Sequence, residues 1–362
     1  MSANLKLGKY YGTEIQLHWT FFLLTVWIVL SEVLSGASVD RVLFNLQFVL
    51  AVMICVLLHE MGHLLAARKF GIKTTKMVLL PVGGISTVDK TTESPKEELL
   101  ITLAGPLVNI IIAGILFFAI PVSDYIGYNF LEYFTLLNEF SFKNFLFFLF
   151  IVNITLAVFN LIPAFPLDGG RILRAVLDFK FSRVTATRIA TTISHVIAIF
   201  LLLTGLLFNP ILLFLSLFLL IGSFSENQVV HQIDLLKGYL VRDAMLKNIT
   251  VFDPKETMED VIRVILRGSE TNFVVVKNKK IVGLLYHKDI IENSNKRSLL
   301  VQEVMTTNFK TMETKEELSV AYRLMQEETH PFFPVTEKNE LVGAIDFDNL
   351  HEFLLMEDRL KY

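Results

Sequence analysis

Apolar residues fall in long unbroken runs before residue 224 and in short, alternating runs after it. A bilayer core takes about 20 apolar residues per helix. Runs at 17–34, 42–67, 99–120, 145–163, 189–208 and 211–224 predict six transmembrane helices, the last one short. Between the second and third lies an apolar stretch, 77–88, with Pro81, Gly83 and Gly84 at its centre. Its β-branched residues and glycine pair predict a β-hairpin rather than a helix.

Beyond residue 224 the pattern changes. Residues 225–240 read as a tether, and 241–300 and 301–362 read as two copies of one unit. Val241-Arg-Asp-Ala-Met245 recurs as Val301-Gln-Glu-Val-Met305, and Ile281-Val-Gly-Leu-Leu285 as Leu341-Val-Gly-Ala-Ile345. Each copy reads as helix, strand, polar turn, strand and helix. The expected fold class is therefore a multi-span α-helical membrane domain over 1–224, followed by an α/β tandem repeat.

Composition supports this division. Charged residues make up only 19% and hydrophobic ones 53%, against about 25% charged in soluble domains. Residues 226–362 hold 18 Lys and Arg against 23 Asp and Glu, and no basic patch suggests nucleic acid. The single cysteine, Cys55, excludes an intrachain disulfide and a thiolate zinc site. The polar first sixteen residues, with no small-residue cleavage site after the first apolar run, argue for a retained helix over a signal peptide.

Charge also orients the spans. Arg68, Lys69, Lys73 and Lys76 follow the second run; Arg171, Arg174, Lys180, Arg183 and Arg188 follow the fourth. The segment 121–143 carries one Lys and three acids. The positive-inside rule puts both basic stretches in the cytosol, and six spans then leave both termini there.

His59-Glu60-Met61-Gly62-His63 ends the second run. On a helix, i and i+4 share a face, so two imidazoles can bind one zinc while Glu60 takes a proton from water. Ionisable groups in an apolar span are costly and mark function. A catalytic zinc needs a third protein ligand, and no His follows closely. Asp168, in Asn160-Leu-Ile-Pro-Ala-Phe-Pro-Leu-Asp168-Gly169-Gly170, sits at the same membrane side, after the prolines that break the fourth run. Taken alone, Asp168 could equally cap the helix that follows.

HExxH in one membrane helix and NxxPxxxxDG in a later one resemble the site-2 protease family of intramembrane metalloproteases. The likeness covers residues 1–224 and is nearest to the six-span prokaryotic type. It implies that His59, His63 and Asp168 hold Zn2+ and that Glu60 activates water. It also implies that Gly83-Gly84 lies in a membrane-re-entrant hairpin and that Ala104-Gly-Pro-Leu-Val-Asn109 is the family's AGPxxN pattern. The substrate would be a transmembrane segment of a membrane-anchored protein. Asn160 is a candidate oxyanion donor, and Asn109 a weaker one; either could instead bind helices together. His18 and His195 read as an interfacial and a packed polar residue.

The tail resembles a tandem pair of CBS domains. Such pairs commonly bind adenine nucleotides and regulate an attached protein, here from the cytosol, and a pair of chains could dimerise through them. The nucleotide pattern Gly-h-x-Ser/Thr-x-x-Asp falls on Gly283, Tyr286 and Asp289, and on Gly343, Asp346 and Asn349. Asp289 and Asn349 are the candidate ribose-side residues. The hydroxyl that would meet phosphate is absent from both copies. The rival reading is a CBS-gated transporter or channel for metal ions, with the broken fourth helix at its substrate site.

Overall fold

The computed structural model describes residues 4–80, 83–88, 94–125, 141–268, 270–328 and 330–360. The chain separates into two compact units, Met1–Gln228 and Val229–Tyr362.

The first unit opens with strands β1 (Leu5–Tyr10) and β2 (Thr13–Leu17), which the apolar runs do not announce. Helices α1 (Thr20–Leu34) and α2 (Val39–Lys69) follow, then strands β3 (Thr74–Leu80) and β4 (Gly83–Val88). Next come α3 (Pro95–Ala119), α4 (Phe142–Asn160), the short amphipathic α5 (Asp168–Asp178), α6 (Arg183–Leu207) and α7 (Pro210–Leu235). Among the described residues five helices, α2, α3, α4, α6 and α7, are long and apolar enough to cross a membrane. Helix α1 has 15 residues, about 22 Å at 1.5 Å per residue, against a core of about 30 Å. Helix α7 runs on past residue 224 to Leu235, so the expected tether begins as helix.

The four strands form one sheet in the order β1-β2-β3-β4. β3 and β4 pair antiparallel over the stretch expected as a hairpin, with Leu79 opposite Gly84; Pro81, at the expected turn, lies outside the described residues. β2 runs parallel to β3. Ile15, Leu17, Met77 and Leu79 point from the sheet onto Phe21 of α1 and Leu64 of α2. Leu64 directly follows His63, so this small core seats the sheet against the HExxH turn.

In the second unit, β5 (Val251–Phe252), β6 (Phe273–Lys277) and β7 (Lys280–Leu285) form one sheet, and β8 (Met312–Glu313), β9 (Phe332–Glu337) and β10 (Glu340–Asp346) another. Asn278-Lys279 and Lys338-Asn339 all take positive φ, as two-residue hairpin turns matching strand twist require. The two copies exchange their openings. Val241 packs with Leu318, Phe333 and Ile345 of the second copy. Val301 packs with Phe252, Val261 and Phe273 of the first.

Candidate metal centre

Three elements converge on His59 and His63. Helix α2 presents both imidazoles and Glu60. Helix α3 crosses α2 at Gly62 and Gly105, where a methyl group on Gly62 would lie 2.7 Å from the Ala104 carbonyl and one on Gly105 would lie 2.8 Å from His59 Nε2. Neither position has room for a side chain.

The third element is α5. The α4 helix ends at Asn160, and the segment with Pro163 and Pro166 turns the chain back. Ser194 of α6 accepts the Phe165 amide at 2.9 Å and fixes this turn. Asp168 then occupies the first position of α5, with Leu167 as the N-cap. Its carboxylate does not cap the helix; it faces the histidines.

Asp168 Oδ2 lies 3.2 Å from His59 Nε2 and 3.3 Å from His63 Nε2, and the two Nε2 atoms are 3.1 Å apart. His59 is buried, and His63 and Asp168 are mostly so. His63 Nδ1 donates to the Ile101 carbonyl at 2.9 Å, and His59 Nδ1 donates to Asn109 Oδ1. With Nδ1 as the donor, each ring can turn an Nε2 lone pair toward the other and toward a carboxylate oxygen. Three electron-rich atoms this close repel one another unless a metal ion or a proton lies between them. Tetrahedral ligands at the usual zinc distances of about 2.0–2.1 Å stand about 3.3–3.4 Å apart, slightly wider than the 3.1–3.3 Å found. The donor set fits zinc, with a fourth position left for water.

Glu60 is held from the other side. The Gly84 amide of β4 donates to Glu60 Oε1 at 2.9 Å, and a methyl group on Gly84 would come within 2.5 Å of the carboxylate carbon. Strand β4 and the carboxylate are thus in direct contact.

The other sequence candidates fall elsewhere. Asn160 ends α4 half-buried, and no hydrogen bond to its side chain is seen among the described residues. Asn109, weighed lightly from sequence, touches a histidine, and Asn153, not weighed at all, touches Asn109 at 2.9 Å. Asn153 could have been noticed as an amide in the middle of an apolar span. His18 bridges to Thr20 at 2.8 Å.

Asp289 lies on the helix His287–Glu292 and Asn349 on Phe347–Leu360, at matching positions of the two copies. Neither lines the cleft found in this unit, which is bounded by Asn272, His330, Phe332, Asp346 and Asp348. Burial pushes the Asp346 carboxyl above its usual range, while the backbone N–H of Asn349 donates to it at 2.9 Å. Asp346 and Asp348 both line this cleft.

The profile of peptidase family M50 matches residues 47–204, and that of the CBS domain matches 241–296 and 301–355. A zinc metalloprotease of Methanocaldococcus jannaschii is 38% identical over 307 residues, 84% of this chain and 83% of its own length. The chain belongs to peptidase family M50. Stage IV sporulation protein FB of Bacillus subtilis is similar at 24% identity over 79% of this chain and 93% of its own. Among solved structures, a site-2 protease from Methanocaldococcus jannaschii is 37% identical, covering 62% of this chain and 95% of that one, with a TM-score of 0.46. As an M50 peptidase with five apolar helices of spanning length, the protein is a multi-pass membrane protein acting on membrane substrates. The choice between a peptidase and a CBS-gated transporter falls to the peptidase.

Proposed function

We propose that this M50 peptidase hydrolyses peptide bonds within transmembrane segments of membrane-anchored proteins, at a zinc ion held by His59, His63 and Asp168, with Glu60 as catalytic base. The triangle of two imidazole nitrogens and one carboxylate oxygen, 3.1–3.3 Å on each side, carries the reading. Held by His59, His63 and Asp168, zinc would supply a Lewis acid able to activate water near neutral pH and to polarise a carbonyl. Glu60, steadied by the Gly84 amide, takes a proton from the attacking water. It delivers that proton to the amide nitrogen as the carbon–nitrogen bond breaks. Asn160 is kept as a donor to the developing oxyanion, since it precedes the turn that delivers Asp168.

A helical substrate hides its peptide bonds. Strand β4 ends the sheet order β1-β2-β3-β4, and among the described strands its outer edge takes no partner. An unwound substrate segment added along that edge would lie extended beside Glu60. In this reading residues 77–88 form a re-entrant hairpin and α1 is a sixth span. Both termini and the CBS pair then face the cytosol, in keeping with the basic residues after α2 and along α5. The CBS pair regulates the peptidase and pairs two chains.

The test uses the purified protein in liposomes with a transmembrane peptide. Glu60→Gln should lower cleavage by at least about 100-fold and keep zinc. Wild-type turnover in that variant would remove Glu60 from the chemistry.

A further inference from the structure

The metal centre is oriented from outside its ligands, through a chain of amides that ends on the backbone of α4. Asn109 and Asn153 are both fully buried. Asn153 Nδ2 donates to the Leu149 carbonyl at 2.8 Å and lies 3.3 Å from Cys55 Sγ. A backbone carbonyl only accepts, so the nitrogen of the Asn153 amide must be the atom on that side. Its Oδ1 is thereby turned to Asn109, from which it accepts at 2.9 Å. That in turn fixes the Asn109 amide with its nitrogen toward Asn153 and its oxygen toward His59. His59 Nδ1, facing an acceptor, carries the proton. The lone pair of the ring is left on Nε2, facing Asp168 and His63.

An asparagine amide is nearly symmetric in shape, and Asn109 turned over would place a donor against His59 Nδ1. The proton would then move to Nε2, into the space between the three ligand atoms. Nothing in Asn109 itself prevents this. Ligand imidazoles usually have their tautomer fixed by a carboxylate or a backbone carbonyl, neither of which can be reversed. His63 follows that rule with the Ile101 carbonyl; His59 depends on an amide, which needs a director.

We infer that Asn153 is a positioning residue for the metal centre: it sets the direction of the Asn109 amide and thereby the metal-binding tautomer of His59. This rests on the zinc reading above. Plain interhelical contact would give Asn153 a packing role only. The two differ in one consequence. A carboxylate at position 109 presents an acceptor whichever way it turns, so it makes the director unnecessary.

The experiment compares four full-length proteins in detergent: wild type, Asn153→Leu, Asn109→Asp and the double variant. Retained zinc is measured across a chelator series, with thermal unfolding as the folding readout. Asn153→Leu, which conserves volume, should shift the chelator midpoint by about 10–100-fold, the usual effect of losing an outer-shell partner. In the double variant the midpoint should return to within about threefold of wild type. A double variant as defective as Asn153→Leu, in folding or in zinc, leaves Asn153 a packing role and overturns the inference. So does a folded Asn153→Leu protein with the wild-type midpoint. Failure of the zinc reading is separate: it shows as a wild-type protein that binds no stoichiometric zinc, or one whose zinc survives His59→Ala.

Discussion

At the scale of single residues, one nitrogen each of His59 and His63 and one oxygen of Asp168 meet within 3.1–3.3 Å. HExxH fixes two imidazoles on one helix face whatever the tertiary structure, and an isolated carboxylate after a proline break stands out in an apolar span. Asp168 remained ambiguous with a helix cap until its geometry removed the ambiguity: Leu167 is the cap. Gly105 shows what sequence withholds. Within Ala104-Gly-Pro-Leu-Val-Asn109 it reads as one member of a motif; in space it lies against both ligand rings. Those rings cannot retreat, because each Nδ1 is tied to α3. Gly105→Ala should therefore lose at least about tenfold in zinc affinity, on the scale of losing an outer-shell partner, and most cleavage. Gly114 lies on the same helix with open space around it. Gly114→Ala should keep zinc and gain up to about 1 kcal/mol in stability from helix propensity. Equal zinc midpoints for the two variants would mean that the close approach at Gly105 does not matter.

At the scale of elements, the long apolar helices and the 77–88 strands follow from pattern alone. The strands β1 and β2 were overlooked because the polar start of the chain was judged by composition. The alternation of Leu5 and Leu7, then Ile15 and Leu17, was there to be read. Its consequence is that the hairpin strands do not stand alone but belong to a four-stranded sheet anchored on Leu64. A sheet so fixed holds Gly84 against Glu60. Gly84→Val would drive its side chain into the Glu60 carboxylate and spoil the extended path along β4. Cleavage should fall by at least about tenfold, below the usual 100-fold of a lost acid–base group, while zinc content stays at the wild-type level. Unchanged cleavage would rule out both the contact and the strand-addition reading, and loss of zinc would move β4 into the metal centre.

At the scale of the whole molecule, sequence gave the division into a membrane part and a repeated part but not the connections within each. The repeat period was visible; the exchange of Val241 and Val301 between copies was not, because local pattern does not say whose core a residue enters. The same limit hides a buried ion cluster in the membrane part. Arg174 of α5 pairs with Glu98 of α3 and Glu226 of α7, and Arg183 at the start of α6 reaches Glu98 at 3.0 Å and Asp178 at 3.4 Å. From sequence these basic residues were counted only as a topology signal. In the structure Arg174 is buried with Glu98, and together they lock α5, whose first residue is Asp168, to the helix that receives His63 Nδ1. Removing one member leaves buried charge without a partner, at a cost of about 3–5 kcal/mol, whereas replacing the group with well-packed hydrophobic residues of similar size is often harmless. Arg174→Met should therefore lower the unfolding temperature in detergent sharply and loosen zinc with it. The triple variant Arg174→Met, Glu98→Leu, Glu226→Leu should recover most of the stability. Recovery of stability without zinc would show that the ions themselves set the angle of α5; recovery of both would show that filling the space between α3, α5 and α7 is enough to hold Asp168 against the histidines.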